Sequence, residues 1–174
     1  MACNKLTGFT QDSCLGNIGG IKRVWLAEYI DGAALTNTVT SADTIQSVTG
    51  FTSGITWEEF PLKKNSAQAT SEYQIGDGGS VFVQTTLEMN FNRQDSAKRM
   101  AMVSLAGNEL MAVYEDANGS KWFLGKDNPV SISAGGGETG TQKTDVNKYS
   151  VSLQDDSMEL PLPVYNTFPN APEI

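Results

Sequence analysis

Val81-Phe82-Val83-Gln84-Thr85-Thr86-Leu87-Glu88-Met89-Asn90-Phe91 decides the fold class. Odd positions are mostly apolar and even positions mostly polar. That period of two belongs to a strand with one buried and one wet face. Upstream, Ala69–Ile75 is a second strand, and Gly76-Asp77-Gly78-Gly79-Ser80 separates the two. Two β-type runs around a glycine-rich tip read as a hairpin.

Downstream, residues 95–107 are the one convincing helix. Asp95 or Ser96 can accept a backbone N–H at its start. Ala97, Met100, Ala101 and Leu105 recur at helical spacing and predict one apolar face, with Gly107-Asn108 as a left-handed stop. Leu110–Glu115 and Lys121–Gly125 flank Asp116-Ala117-Asn118-Gly119, a second hairpin. In Asn147–Gln154 the residues Tyr149, Val151 and Leu153 fall on one face. Upstream, Lys22–Ile30 and Ile55–Phe60 read as strands. Residues 31–54 read as a Thr/Ser-rich loop with one short strand at Ile45–Val48. Val130–Ser133 reads as a short strand, and residues 134–145 as a Gly/Thr-rich loop. Met158–Val164 closes the sheet at an edge, because Pro161 and Pro163 cannot donate to a ladder.

The expected fold is mainly β (α+β): an antiparallel barrel or sandwich of about eight strands with one packed helix near 95–107. The expected organisation is an N-terminal extended arm over 1–20, a β domain over 21–165 and a C-terminal tail over 166–174.

Composition narrows the chemistry. The 174 residues carry 12 Lys and Arg, 20 Asp and Glu, and no His, for a net charge of −8. Without imidazole, His-based catalysis and His-ligated metal sites are excluded. The acidic balance argues against nucleic-acid binding through clustered cations. No run reaches the ~20 apolar residues of a membrane helix, and Met1–Lys5 leads into no apolar signal region. Cys3 and Cys14 cannot complete a zinc site; free thiols in a reducing cytosol are expected, with a disulfide closing the short loop as the alternative.

Individual motifs read structurally. Gly135-Gly136-Gly137-Glu138-Thr139-Gly140 matches a dinucleotide fingerprint, but no helix follows it to take the pyrophosphate. Asp116-Ala117-Asn118-Gly119 resembles the start of a calcium loop, but its twelfth position is Asp127 and not a bidentate Glu, and Lys121 and Lys126 lie inside it, so a hairpin turn is expected. Adjacent residues of a strand point to opposite faces, so Glu58-Glu59 and Asp155-Asp156 do not converge, and solvated charge is expected for both pairs. No Ser–Lys string of the S-x-x-K type occurs. The expectation is a chain with no catalytic residues, no metal site and no cofactor. Trp25, Trp57 and Trp122 each sit in an expected strand and read as core, which leaves a carbohydrate-binding β-sandwich as a distant alternative.

From Val81 to Val164 the chain resembles the tail tube (major tail) proteins of tailed bacteriophages. The likeness rests on the long strand ending Phe91-Asn92-Arg93, the helix Asp95–Leu105, the hairpin Leu110–Gly125, and a Gly/Thr loop leading into Tyr149–Leu153. Gly19–Tyr29 also looks like the opening strand of structural proteins from phages of Bacteroidetes hosts. The resemblance implies hexameric rings that stack into a tube in the virion tail, assembled in the host cytoplasm. It implies tape-measure, terminator or connector, and baseplate or hub proteins as partners. It implies an acidic bore through which DNA passes without binding, and no membrane. Alternation along the strands assigns Glu58, Glu72, Gln84, Thr86, Glu88 and Asn90 to the bore. Gly76, Asp77, Gly78, Gly79 and Ser80 become candidates for contacts between rings, with loops 31–54 and 134–146 and the N-terminal arm beside them. The alternatives are the tube of a contractile injection system, which shares this architecture, and a head–tail connector or tail-terminator ring, which caps a tube without propagating it.

Overall fold

The computed structural model describes residues 17–31, 35–41, 44–51 and 54–165. Cys3, Cys14, most of the expected arm and the expected tail lie outside the described residues. Eleven strands and one helix follow in order: β1 Ile21–Glu28, β2 Leu35–Ser41, β3 Thr44–Phe51, β4 Glu58–Pro61, β5 Ala67–Ile75, β6 Val81–Asn92, α1 Ser96–Gly107, β7 Leu110–Asp116, β8 Lys121–Leu124, β9 Ser131–Glu138, β10 Lys148–Ser157 and β11 Leu162–Pro163. Every strand pairing within the sheets is antiparallel. The expected mainly β class with a single packed helix holds.

The strands form a five-stranded sheet, β11-β8-β7-β1-β4, a four-stranded sheet, β5-β6-β10-β9, and a two-stranded ribbon, β2-β3. The main core lies between the two larger sheets. Val24 and Leu26 of β1, Ala112 and Tyr114 of β7 and Leu124 of β8 meet Leu87, Met89 and Phe91 of β6 and Val151 and Leu153 of β10. A second core covers the other face of the five-stranded sheet. There Trp25, Ala27, Met111, Val113 and Phe123 pack with Val48 of β3, Leu162 and Val164. Phe51 stacks edge-on against Trp57 at 5.1 Å and against Phe123 at 5.3 Å. The five-stranded sheet is therefore buried on both faces. That is why Val24-Trp25-Leu26-Ala27 and Leu110–Tyr114 are unbroken apolar runs with no alternation.

Both expected hairpins form. At the β5–β6 tip, Gly76 N–H donates to the Ser80 carbonyl at 2.8 Å. At the β7–β8 tip, Asp116 Oδ1 accepts from the N–H groups of Asn118 and Ser120, and Gly119 takes φ +92°, where a Cβ would be strained. The tip also anchors the chain ahead of β1, because Ile18 N–H donates to Asn118 Oδ1 at 2.9 Å.

Five expectations need correction. The short strand expected at Ile45–Val48 lies within β3, but Leu35–Ser41 and Thr44–Phe51 pair as a ribbon where the sequence predicts mostly loop; their Thr/Ser-rich backbone can pair because β-branched residues fit a pleated strand. Residues 131–138 are strand β9, although glycine disfavours strands, because β10 supplies a ladder along its whole length. The strand expected at 55–60 is confined to Glu58–Pro61. The helix turns a different face to the core. Leu105 is buried and Met102 packs beside it, whereas Met100 is 61% exposed and Ala97 is exposed. Apolar residues wrap around α1, so spacing alone fits more than one face. Its start is as expected, with Asp95 Oδ1 accepting from Lys98 N–H at 2.8 Å. Its end is not left-handed: Asn108 is extended at φ −118°, and the chain runs straight into β7. Among the described residues no helix is long and apolar enough to cross a membrane.

Candidate functional site

The outer face of the four-stranded sheet gathers most of the residues that alternation singled out. β6 is its second strand, with Val83, Thr85, Leu87, Met89 and Phe91 turned to the core. Its even residues face outward. Residues directly opposite across a ladder share a face. Glu72 of β5 stands opposite Gln84, Thr70 opposite Thr86, and Gln68 opposite Glu88. On the other side Asp156 of β10 stands opposite Gln84, Gln154 opposite Thr86, Ser152 opposite Glu88, and Ser150 opposite Asn90. One side of the sheet is thus a field of amides, hydroxyls and carboxylates three strands wide. β9 extends it with Ala134 and Gly136, opposite Ser152 and Ser150.

Neutral donors hold the central carboxylates. Gln68 Nε2 donates to Glu88 Oε2 at 2.6 Å. Gln84 Nε2 donates to Asp156 Oδ1 at 3.2 Å, and Gln154 Nε2 reaches both oxygens of Asp156 at 3.1 Å. Amides fix the carboxylates in place and leave their charge intact. Among the described residues the one ion pair on this face is Lys148–Glu138, at 3.1 Å and at one end of the sheet. A fixed, hydrated, net-negative wall is what this arrangement presents.

Of the residues expected to share a face, Glu72, Gln84, Thr86, Glu88 and Asn90 do so. Glu58 does not. It lies on β4, the edge of the other sheet, opposite Leu26. The face also holds Gln68, Thr70, Ser150, Ser152, Gln154 and Asp156; of these, alternation in Asn147–Gln154 signals Ser150, Ser152 and Gln154 by its polar even positions.

The adjacent Asp155 corrects another expectation. It is 3% exposed and points inward, opposite buried Thr85, so only Asp156 is solvated. Its Oδ1 has no hydrogen-bond partner among the described residues. Burial pushes its carboxyl up to about 6. Asp127 and Asp156 add to the rise, and the Gly125 N–H opposes it. Thr85 is satisfied by the Ser71 hydroxyl at 2.9 Å.

The Gly76–Ser80 tip is largely exposed, and Tyr73, Ile75 and Val81 beside it are exposed too. Trp25 is buried. Trp57 and Trp122 are partly buried, with Trp122 Nε1 donating to Asp116 Oδ2 at 3.4 Å. Trp57 precedes β4 and is not inside a strand. None of the three is an open stacking platform. Among the described residues no group of three or more His, Cys, Asp and Glu could hold a metal ion. Comparison with known proteins adds nothing to this geometry: no protein family, no curated protein and no solved structure matches the chain.

Proposed function

We propose that the chain is a self-assembling structural subunit of the phage tail tube type. Its four-stranded sheets join edge to edge into a barrel, and the polar face lines a bore through which DNA slides. The supporting observation is that sheet, with one wet acidic face and no strand beyond β5 or β9 among the described residues. The two edge strands have similar lengths, nine and eight residues. Open edges of this length are templates for pairing with another chain.

The strand count suits closure. With four antiparallel strands per copy, β9 of one copy meets β5 of the next in opposite directions, so the barrel is antiparallel throughout. Six copies, the number the resemblance implies, bring about 24 strands; at about 4.8 Å each, the circumference is about 115 Å and the diameter about 37 Å before tilt widens it. Barrels of about 16–18 strands already leave an aqueous channel. A negative wall repels the phosphate backbone, so DNA passes without adhering. In this reading the wall residues are Glu72, Gln84, Thr86, Glu88, Asn90 and Asp156. The tape-measure, terminator and baseplate proteins are the partners.

Negative-stain microscopy over a concentration series tests the reading. Rings and hollow tubes are expected. A monomer at every concentration overturns it, and single rings at every concentration indicate a terminator. In tubes built from Glu72→Lys/Glu88→Lys protein, assembly persists and genome ejection slows. Normal ejection removes these residues from the bore.

A further inference from the structure

The five-stranded sheet carries a cleft on the side of β4 that the polar face does not use. It lies between the β1–β4 edge and α1 and has a volume of about 630 Å³. Its floor is apolar, with Leu26, Phe60 and Leu105. Phe60 stands opposite Val24 and Glu58 opposite Leu26, so Glu58 emerges on the side that carries this floor. Glu28, two residues beyond Leu26, emerges on the same side. Both carboxylates are exposed, and no Lys or Arg lines the cleft. Glu59 differs, lying 4.0 Å from Arg23. Near the rim the Tyr29 hydroxyl is pushed up by burial and then by Asp31, Asp127 and Glu109, which marks this end of the sheet as electronegative.

The other end of the same edge is basic. Arg23 stands opposite Pro61, and the chain leaves β4 through Leu62-Lys63-Lys64-Asn65. Asn65 takes φ +61°, and the Ser66 hydroxyl and N–H donate to the Lys63 carbonyl at 2.7 and 3.2 Å. This tight turn exposes both lysines. No ion pair engages either among the described residues.

We propose that the Lys63–Lys64 turn of one copy docks in the Glu28–Glu58 cleft of the next. The inference rests on the self-assembly reading and names one of its contacts. Two exposed ammonium groups match two carboxylates, and the lysine stems suit the apolar floor. The turn and the cleft lie at opposite ends of β4, separated by the strand's rise of about 10 Å from Glu58 to Pro61 and by Leu62 beyond it, so the turn is placed to reach another copy's cleft and not its own. Donor and acceptor are different patches, so the contact is head-to-tail and propagates.

Charge exchange tests it. Lys63→Glu/Lys64→Glu and Glu28→Lys/Glu58→Lys alter exposed side chains and should melt like the unaltered protein. Each alone is expected to raise the concentration needed for assembly at least tenfold. An equimolar mixture should assemble normally, since each variant's turn then meets an opposite cleft. Unaltered protein that forms tubes beside double variants that assemble as readily overturns the docking contact and leaves the tube reading standing. A mixture that does not recover also overturns the contact. Unaltered protein that never assembles overturns both.

Discussion

Among the described residues Asp155 is the one buried carboxyl group. The carboxyl is buried between β10 and the Gly125 turn, and one of its oxygens is unpaired. Its ordinary value is 3.8 and its value in the fold is about 6, so the folded chain holds this proton more tightly than the unfolded chain does. The resulting stability is complete below pH 3.8 and is lost as pH rises through about 6. About two pKa units at 1.36 kcal/mol each bound the effect at about 3 kcal/mol by neutral pH. Asp95 and Asp145 work in the opposite sense. The Lys98 side chain and N–H hold Asp95 low, and the Gln142 and Thr141 N–H groups hold Asp145 low. Their contributions are present above the ordinary carboxylate value and fade as pH falls below it. Asp155→Asn replaces the ionising group with a neutral one of the same shape. It should raise Tm at pH 7 and flatten the decline of Tm between pH 4 and 6. Thermal melts of both proteins across that range check this. An unaltered protein whose Tm climbs steadily from pH 4 to 7, or a variant that melts lower at pH 7, defeats the assignment.

Among the elements, β9 shows how a strand can form from a sequence that reads as a loop. Ala134-Gly135-Gly136-Gly137 has no side chains to alternate, so periodicity had nothing to detect. The glycines are not equivalent. A Cβ on Gly137 would lie 2.7 Å from Gln94 Nε2 and 2.8 Å from the Tyr149 ring, while one on Gly136 would meet nothing within 4 Å. Gly137→Val has to push aside the Gln94 amide and the Tyr149 ring, and should cost about 0.5–1.5 kcal/mol, the usual range for driving a side chain off its rotamer. Gly136→Val should leave stability equal or higher, since valine prefers strands. Equal melting of the two variants would mean that β9 does not pack on β10 as described. The other elements were legible to different degrees. β6 and β10 were plain because each has one dry and one wet face, and that contrast also exposed most of the polar wall. The hairpin tips were plain because Asp, Asn and Gly carry their turn geometry locally. The β2–β3 ribbon was hidden because its Thr and Ser residues carry no polarity contrast. Glu58 was placed with the wall because alternation identifies a face within a strand but not the sheet to which the strand belongs. The cleft beside it joins β1, β4 and α1, elements far apart in sequence, and no local pattern announces such a site.

At the scale of the whole molecule, three of the eleven exposed large hydrophobic residues among the described residues stand together at one end of the four-stranded sheet. Tyr73, Ile75 and Val81 continue the inward side of β5 and β6 past the last core residue, Val83, which stands opposite Tyr73. Ile75 is 76% exposed. An isolated exposed hydrophobe needs no explanation, but three on one face of a projecting hairpin form a patch. The Gly76–Ser80 tip, a candidate for contacts between rings, adjoins that patch. In the tube reading, the hairpin end of one ring finds its cover on the next. Ile75→Ser/Val81→Ser tests this without disturbing the core. Both side chains are already in water, so stability should stay within about 0.5 kcal/mol of the unaltered protein. Elongation should fail while single rings still close, because in the proposed tube the β5 and β9 edges close the ring and the hairpin end makes the stacking contact. Sedimentation with microscopy of the pelleted species separates the two. Tubes of ordinary length from the double variant would assign the patch to another role. Loss of rings as well as tubes would place the hairpin end within the ring and not between rings.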